Sequence, residues 1–288
     1  MLSHYARLKA WIPFYLNTLD SLTEKPSSKY YSKTASTDFS IQVAENLYMR
    51  SDFKDSIYEQ IKTSELRNRL TYKYSDLPYY ILKKYLEEFF GSTMDQLVQT
   101  HFYESLGANY STYLPLEKFS KSDIVPTEED DYFRMQKVHG YVHDQRSAMI
   151  GGVSGHAGIF SNANDVAKIM QMYLWDGLYG GRRYFNPETM RAFNTCYYCD
   201  DNVRRGVGFD KPQLGDLGPT CGCVSMTSFG HSGFTGTFTW ADPEEEIVYV
   251  FLSNRTYPSA ENRKIISSDL RSNIQAVIYE AIEAKIEE

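Results

Sequence analysis

The chain has no apolar run of the roughly eighteen residues that a membrane span requires. Its longest, Ile247 to Leu252, has the length of a buried strand. Positive charge is also in short supply. Against 37 acidic residues stand 30 Lys and Arg, a net charge of −7 with a pI near 5.5, so no basic face is expected to hold phosphate backbones. Nucleic acid is not an expected partner. Met1 to Leu16 carry Arg7 and Lys9 and then a short apolar patch broken at Pro13, without the cleavage site of a signal peptide. Trp11, Ile12, Phe14 and Tyr15 are already patterned for burial, with no ordinary lead-in strand or helix before them. The compartment stays open; a periplasmic or exported protein would need a longer precursor to carry the address. Repeats and low-complexity tracts are missing too, and the composition excludes disorder, collagen and coiled coil. What is present, 42 % apolar and 15 % aromatic residues in 288, supplies one sizeable core.

Ser75 and Asp76 precede an apolar series at Tyr79, Leu82, Leu86 and Phe89, with Pro78 in the first turn and Gly91 as the stop, which predicts a capped helix. Thr93 and Gln96 predict a capping box ahead of Leu97, Val98 and Phe102, closed at Gly107. A third helix is expected from Asn162, with Asp165 three residues on and Val166, Ile169, Met170, Tyr173 and Leu174 on one side, ending near Gly177. After about Asn202 the character changes. Strands are expected at Gly206 to Phe209, Phe229 to Ala241 and Ile247 to Asn254, the last two joined through residues 242–246 as an antiparallel hairpin. From Ser268 onward, Leu270, Ile274, Val277, Ile278, Ala281 and Ile282 form the stripe of a long helix able to cover one face of the sheet. The order predicts one α+β domain: a mostly helical lobe over about 1–200, then an antiparallel sheet and its covering C-terminal helix over about 201–288.

Three segments stand in a telling order: Tyr74-Ser75-Asp76 opening a helix, the glycine-rich Gly151 to Ser161 entering another, and His231-Ser232-Gly233 at the start of a strand. With the Leu106-Gly107 turn and the terminal hairpin plus helix, they resemble the serine β-lactamase and D,D-peptidase superfamily, near its class C and esterase branch. Val138 to Asp144, Gly206 to Pro212 and His231 to Thr237 are more similar to one subgroup. That subgroup is the β-lactamase-like C-terminal domain of proteins whose N-terminal part looks like a family 3 glycoside hydrolase.

The resemblance implies a β-lactamase/transpeptidase-like fold and acyl transfer on an ester or amide, on a small-molecule or peptidoglycan-like substrate, with no cofactor. A serine hydroxyl attacks only when a base takes its proton, and the resulting oxyanion needs aimed donors. By the resemblance Tyr74 shares the proton relay, and Asp76 replaces a commoner Asn and offers only acceptors when ionised. His231 stands where Lys usually sits. Ser232, Gly233, Phe234 and Thr235 line the substrate strand, with the Phe234 N–H as an oxyanion donor. Tyr74, Asp76 and His231 are thus the implied catalytic set. The family's Ser-x-x-Lys pair has one formal match, Ser51-Asp52-Phe53-Lys54, but about one chance match is expected at this length. Family members place the nucleophile several times farther ahead of the Tyr triplet, so Ser51 is read as the N-cap of a helix through Ile57 and Ile61. The nucleophile is then expected outside these residues, the domain incomplete and inactive as written, and self-association a way to cover its exposed surface. A non-catalytic module that retains the cleft is the alternative.

Other features keep simpler readings. Gly152 to His156 and Gly230 to Phe234 lack the setting of a nucleophile elbow, and His156 is read as a packed histidine in a glycine turn. Cys196, Cys199, Cys221 and Cys223 form two close pairs that suit a structural zinc site, disulfides, or free thiols, according to compartment. The acidic runs Glu129 to Asp131 and Glu244 to Glu246 are read as solvated turns, and the 24 tyrosines as core and surface filler.

Overall fold

A computed structural model of the protein describes residues 1–213 and 218–286. Residues near the N-terminus build a three-stranded antiparallel sheet in the order Tyr31–Ser32, Leu47–Met49, Ile41–Ala44. The Phe53–Lys62 helix lays Ile57 and Ile61, one turn apart, against that sheet, and both are buried with Phe14, Leu77, Tyr80 and Phe133 in the main core. Its N-cap is Asp52. Ser51, the expected cap, lies one residue before it, and its hydroxyl donates to the Thr37 and Asp38 carbonyls at 3.2 Å each.

The Leu77–Phe90 helix forms with Pro78 in its first turn and Gly91 in the left-handed region at φ 63°, but it buries Leu77, Tyr80 and Lys83, leaves Phe89 of the expected stripe exposed, and takes no side-chain cap from Asp76. The capping box does not form. Ser92 Oγ instead donates to Gln96 Oε1 at 2.9 Å, and Glu87 accepts the Met94 N–H, because the preceding helix ends close enough to reach it. The Ala163–Leu174 helix begins as its sequence predicts, Asn162 Oδ1 accepting the Asp165 N–H at 2.9 Å.

The Ala163–Leu174 helix packs Met170, Val166 and Tyr173 on Phe229, Ala241 and Val248 of the second sheet. That sheet is antiparallel, in the order Ile247–Phe251, Phe238–Asp242, Phe229–Ser232. Its other face sets Phe238, Trp240 and Tyr249 against Ile278 of the Leu270–Ile286 helix. The sheet therefore lies between two helices.

Several expectations change here. The stretch Phe229 to Ala241 is two strands, parted by a turn in which the Gly236 N–H donates to the Gly233 carbonyl and Gly236 has φ 94°. His231 and Ser232 thus end a strand instead of starting one, and Phe234 belongs to the turn. Residues 206–209 form no strand; Gly206 and Phe209 close a turn, and Asp210 pairs with Gly230 at the sheet edge. The last helix turns Gln275, Ile278 and Tyr279 inward while Leu270, Ile274 and Val277 stay exposed, the Tyr279 hydroxyl donating to Asp242 at 2.7 Å. The first lobe is less helical than expected, since it also holds the pairs Pro126–Asp130 with Gln136–His139 and Leu178–Tyr179 with Arg182–Arg183. Asp130 is no solvated turn residue: buried Arg134 bonds it through Nε at 2.6 Å and Glu128 through Nη2 at 3.0 Å. Among the described residues no helix is long and apolar enough to cross a membrane.

Candidate active-site cleft

Tyr74 is presented by a turn pinned to the N-terminal segment. The Ser75 N–H donates to His4 Nδ1 at 3.1 Å, Ser75 Oγ donates to the Lys9 carbonyl at 2.6 Å, and the Asp76 N–H to Ala10 at 2.9 Å. The His4 ring lies 4.4 Å from that of Tyr74. Because Nδ1 is an acceptor, the proton sits on Nε2. Burial, with the charge of Arg205 and the nearby His231, pulls the His4 pKa down to about 3, so the ring is neutral at neutral pH.

Across the cleft the His231 ring is 6.2 Å from Tyr74. Its Nδ1 lies 2.7 Å from the Ser232 carbonyl and must donate there, which leaves Nε2 to accept from Arg205 Nη1 at 3.1 Å. Both ring nitrogens are engaged, and burial holds the pKa of His231 below its ordinary value. The cation at this position is therefore Arg205. Its guanidinium lies 5.3 Å over the Tyr74 ring and pairs with Asp210 at 2.5 Å. Burial raises the Tyr74 phenol well above its ordinary range, Asp76 adding to the rise and Arg205 opposing it, so it stays protonated at neutral pH. Among the described residues, no serine or lysine side chain hydrogen-bonds that phenol.

Tyr74, Arg205, Asp210, His231, Ser232, Gly233 and Phe234 line a pocket of about 580 Å³. Thr235 and Asp76 are not in its wall. The Thr235 carbonyl accepts the Arg255 N–H, within the turn behind. Asp76 faces away, pairing with Arg146 at 3.0 Å, in a group where Arg146 also bonds Asp144 at 2.5 Å. His156 Nε2 lies 3.2 Å from Asp144, and His156 Nδ1 2.9 Å from Ser154 Oγ. Burial alone would raise Asp144, but the His156 hydrogen bond and charge, with Arg146, hold its carboxyl well below the usual range. Ser154 is only 1 % exposed, so this serine, histidine and aspartate brace the glycine turn and present no nucleophile to solvent. Asp76, Asp144 and His156 could converge on an ion, but the Arg146 guanidinium already bonds both carboxylates and supplies the positive charge.

The zinc alternative falls. Cys196 is joined to Cys199 and Cys221 to Cys223 as disulfides, which leaves no thiolate in this set to bind a metal. Sequence reasoning passed over Arg205 and Arg146. Both adjoin segments singled out for their wording, Gly206 to Pro212 and Val138 to Asp144, but neither arginine carries a local pattern of its own.

Comparisons with known proteins bear on the family and the fold. Residues 25–270 match the family profile described as Beta-lactamase. A putative D-alanyl-D-alanine carboxypeptidase of Escherichia coli K12 is 35% identical over 238 residues, 77% of this chain and 54% of that protein. The chain thus spans about half the length of the curated relatives it matches. A penicillin-binding protein homologue from Caulobacter crescentus superposes with a TM-score of 0.52 at 15% identity, covering 88% of this chain and 64% of that one. EstCE1, a hydrolase with promiscuous acyltransferase activity, does so with a TM-score of 0.54 at 16% identity, covering 94% and 70%.

Proposed function

The chain belongs to the beta-lactamase family of serine hydrolases, and from that premise we propose that it forms the substrate-recognition walls of an acyl-transfer site without the attacking group. The substrate is an ester or amide, of the cell-wall-derived type that the carboxypeptidase names of its relatives suggest. Arg205, held by His231 and Asp210, offers guanidinium hydrogen-bond donors to an acidic substrate end, and the Phe234 N–H stands beside it, the Gly233 N–H being taken by the Thr237 carbonyl. Tyr74 donates its phenolic proton, since it is not ionised at neutral pH. In a completed site, a neighbouring ammonium would have to lower that phenol before it could accept a proton from serine.

One observation carries the reading: Tyr74 and His231 face each other across 6.2 Å with Arg205 beside them. The nearest formal Ser-x-x-Lys serine, Ser51, is tied to carbonyls elsewhere. As written, the chain binds such substrates and does not turn them over. Hydrolysis of a chromogenic β-lactam and of p-nitrophenyl acetate tests this. The expected rate equals that of buffer for the wild type, Ser51→Ala and Ser154→Ala alike. Robust turnover lost in either variant would overturn the reading.

A further inference from the structure

The cleft pocket continues past Phe234 to a second group of arginines, Arg255, Arg263 and Arg271. Among the described residues none of the three has a carboxylate within ion-pair distance. Arg255, only 7 % exposed, donates through Nε to the Phe234 carbonyl at 2.7 Å and through Nη1 to Ala260 at 2.6 Å and Asn262 at 2.8 Å. Its guanidinium lies 4.4 Å from the centre of the Phe234 ring. Arg271 Nη1 donates to the Thr237 carbonyl at 3.3 Å. Carbonyls and ring faces fix these groups in place but do not neutralise them. Four arginines line the pocket against two carboxylates, Asp210 and Glu261, and Asp210 is taken by Arg205. The uncompensated charge therefore lies at the Arg255 end, in a molecule whose net charge is −7. Burial, then Arg263 and Arg271, lower the Arg255 pKa from its ordinary value, and Glu261 opposes them.

We infer that Arg255, Arg263 and Arg271 form an anion subsite that selects substrates carrying a second carboxylate beyond the one facing Arg205. This rests on the reading of the cleft as an acyl-substrate site and names its substrate class: acyl amino acids or peptides with an acidic side chain or tail. Phe234, 64 % exposed, with the His143 ring tilted 34° at 5.1 Å and the Arg255 guanidinium at 4.4 Å, is the partition between the two anion positions.

Calorimetric titration of the full chain with N-acetyl-D-glutamate, N-acetyl-D-alanine and N-acetyl-D-alaninamide tests the subsite without requiring turnover. The diacid is expected to bind about tenfold tighter than the monoacid. Arg263→Gln, an exposed position, should remove that advantage and leave monoacid affinity unchanged, while Arg263→Lys restores most of it. Added salt should weaken the diacid more than the monoacid. Equal affinity of the two acids overturns the subsite and leaves the cleft reading standing. Binding of none of the three overturns both. Displacement of the diacid by equimolar inorganic phosphate overturns the assignment to a dicarboxylate substrate.

Discussion

His4 and Asp144 show how single titratable groups govern the stability of the cleft. His4 is buried and neutral, its pKa near 3 against an ordinary 6.5, so between those values the unfolded chain binds the proton that the folded chain refuses. Stability is therefore full above pH 6.5 and falls on acidification, at up to about 1.4 kcal/mol per pH unit for one such group. His231, also lowered, acts in the same direction. Chemical denaturation between pH 7 and 4.5 is expected to show this slope, and His4→Asn to flatten it in part; an unchanged slope would contradict the assignment. Asp144 works in a lower window. Its folded carboxyl holds its proton less tightly than the unfolded one, so its contribution is present above the ordinary carboxylate value near 4 and is lost below it. Asp144→Asn leaves Arg146 and His156 without their shared partner and should cost about 3 kcal/mol at pH 7, measured by urea unfolding. Tyr74 and His231 were legible in the sequence as short triplets. Arg205 was not, because its role comes from a turn that brings it beside His231, 26 positions away, and no periodicity marks such a contact.

Turns and caps decide which predicted elements survive. The Ala163–Leu174 helix was readable because its cap, apolar spacing and stop all agree, and the Leu77–Phe90 helix from its Pro78 start and Gly91 stop. The capping box at Thr93 failed because the Ser92 hydroxyl takes the Gln96 side chain, and Glu87, from the neighbouring helix, caps the Met94 N–H in its place. Local pattern cannot see that competitor. The strand expected over Phe229 to Ala241 breaks for a comparable reason: Gly233 and Gly236 permit a tight turn that the run of Phe and Thr conceals. Glycines in the left-handed region are not equivalent. At Gly158, φ 124°, a Cβ would run into the Gly152 carbonyl and the Tyr113 ring, whereas at Gly91, φ 63°, it would meet open space. Gly91→Ala should therefore cost about 1 kcal/mol, from backbone strain alone. Gly158→Ala should cost about 3 kcal/mol, with a thermal midpoint lowered by roughly 2–4 °C for each kcal/mol. Equal shifts in the two variants would contradict the packing around the glycine turn.

On the scale of the whole molecule, an acidic chain concentrates uncompensated arginines in one pocket and leaves apolar surface elsewhere. Tyr85, Phe89 and Phe90 on the Leu77–Phe90 helix are each more than half exposed. If that surface is covered by a second copy, the denaturation midpoint should fall on hundredfold dilution. A midpoint independent of concentration would show that the fold stands alone. The α+β class and the sheet covered by its last helix followed from the order of apolar patterns. The small sheets of the first lobe did not, since strands of two to five residues carry too few alternations to read. The central claim, walls of an acyl-transfer cleft without an attacking serine in this chain, is tested most directly by intact-protein mass after incubation with an acylating β-lactam. The account predicts an unmodified mass; a stoichiometric adduct mapping to any serine of the chain would contradict it.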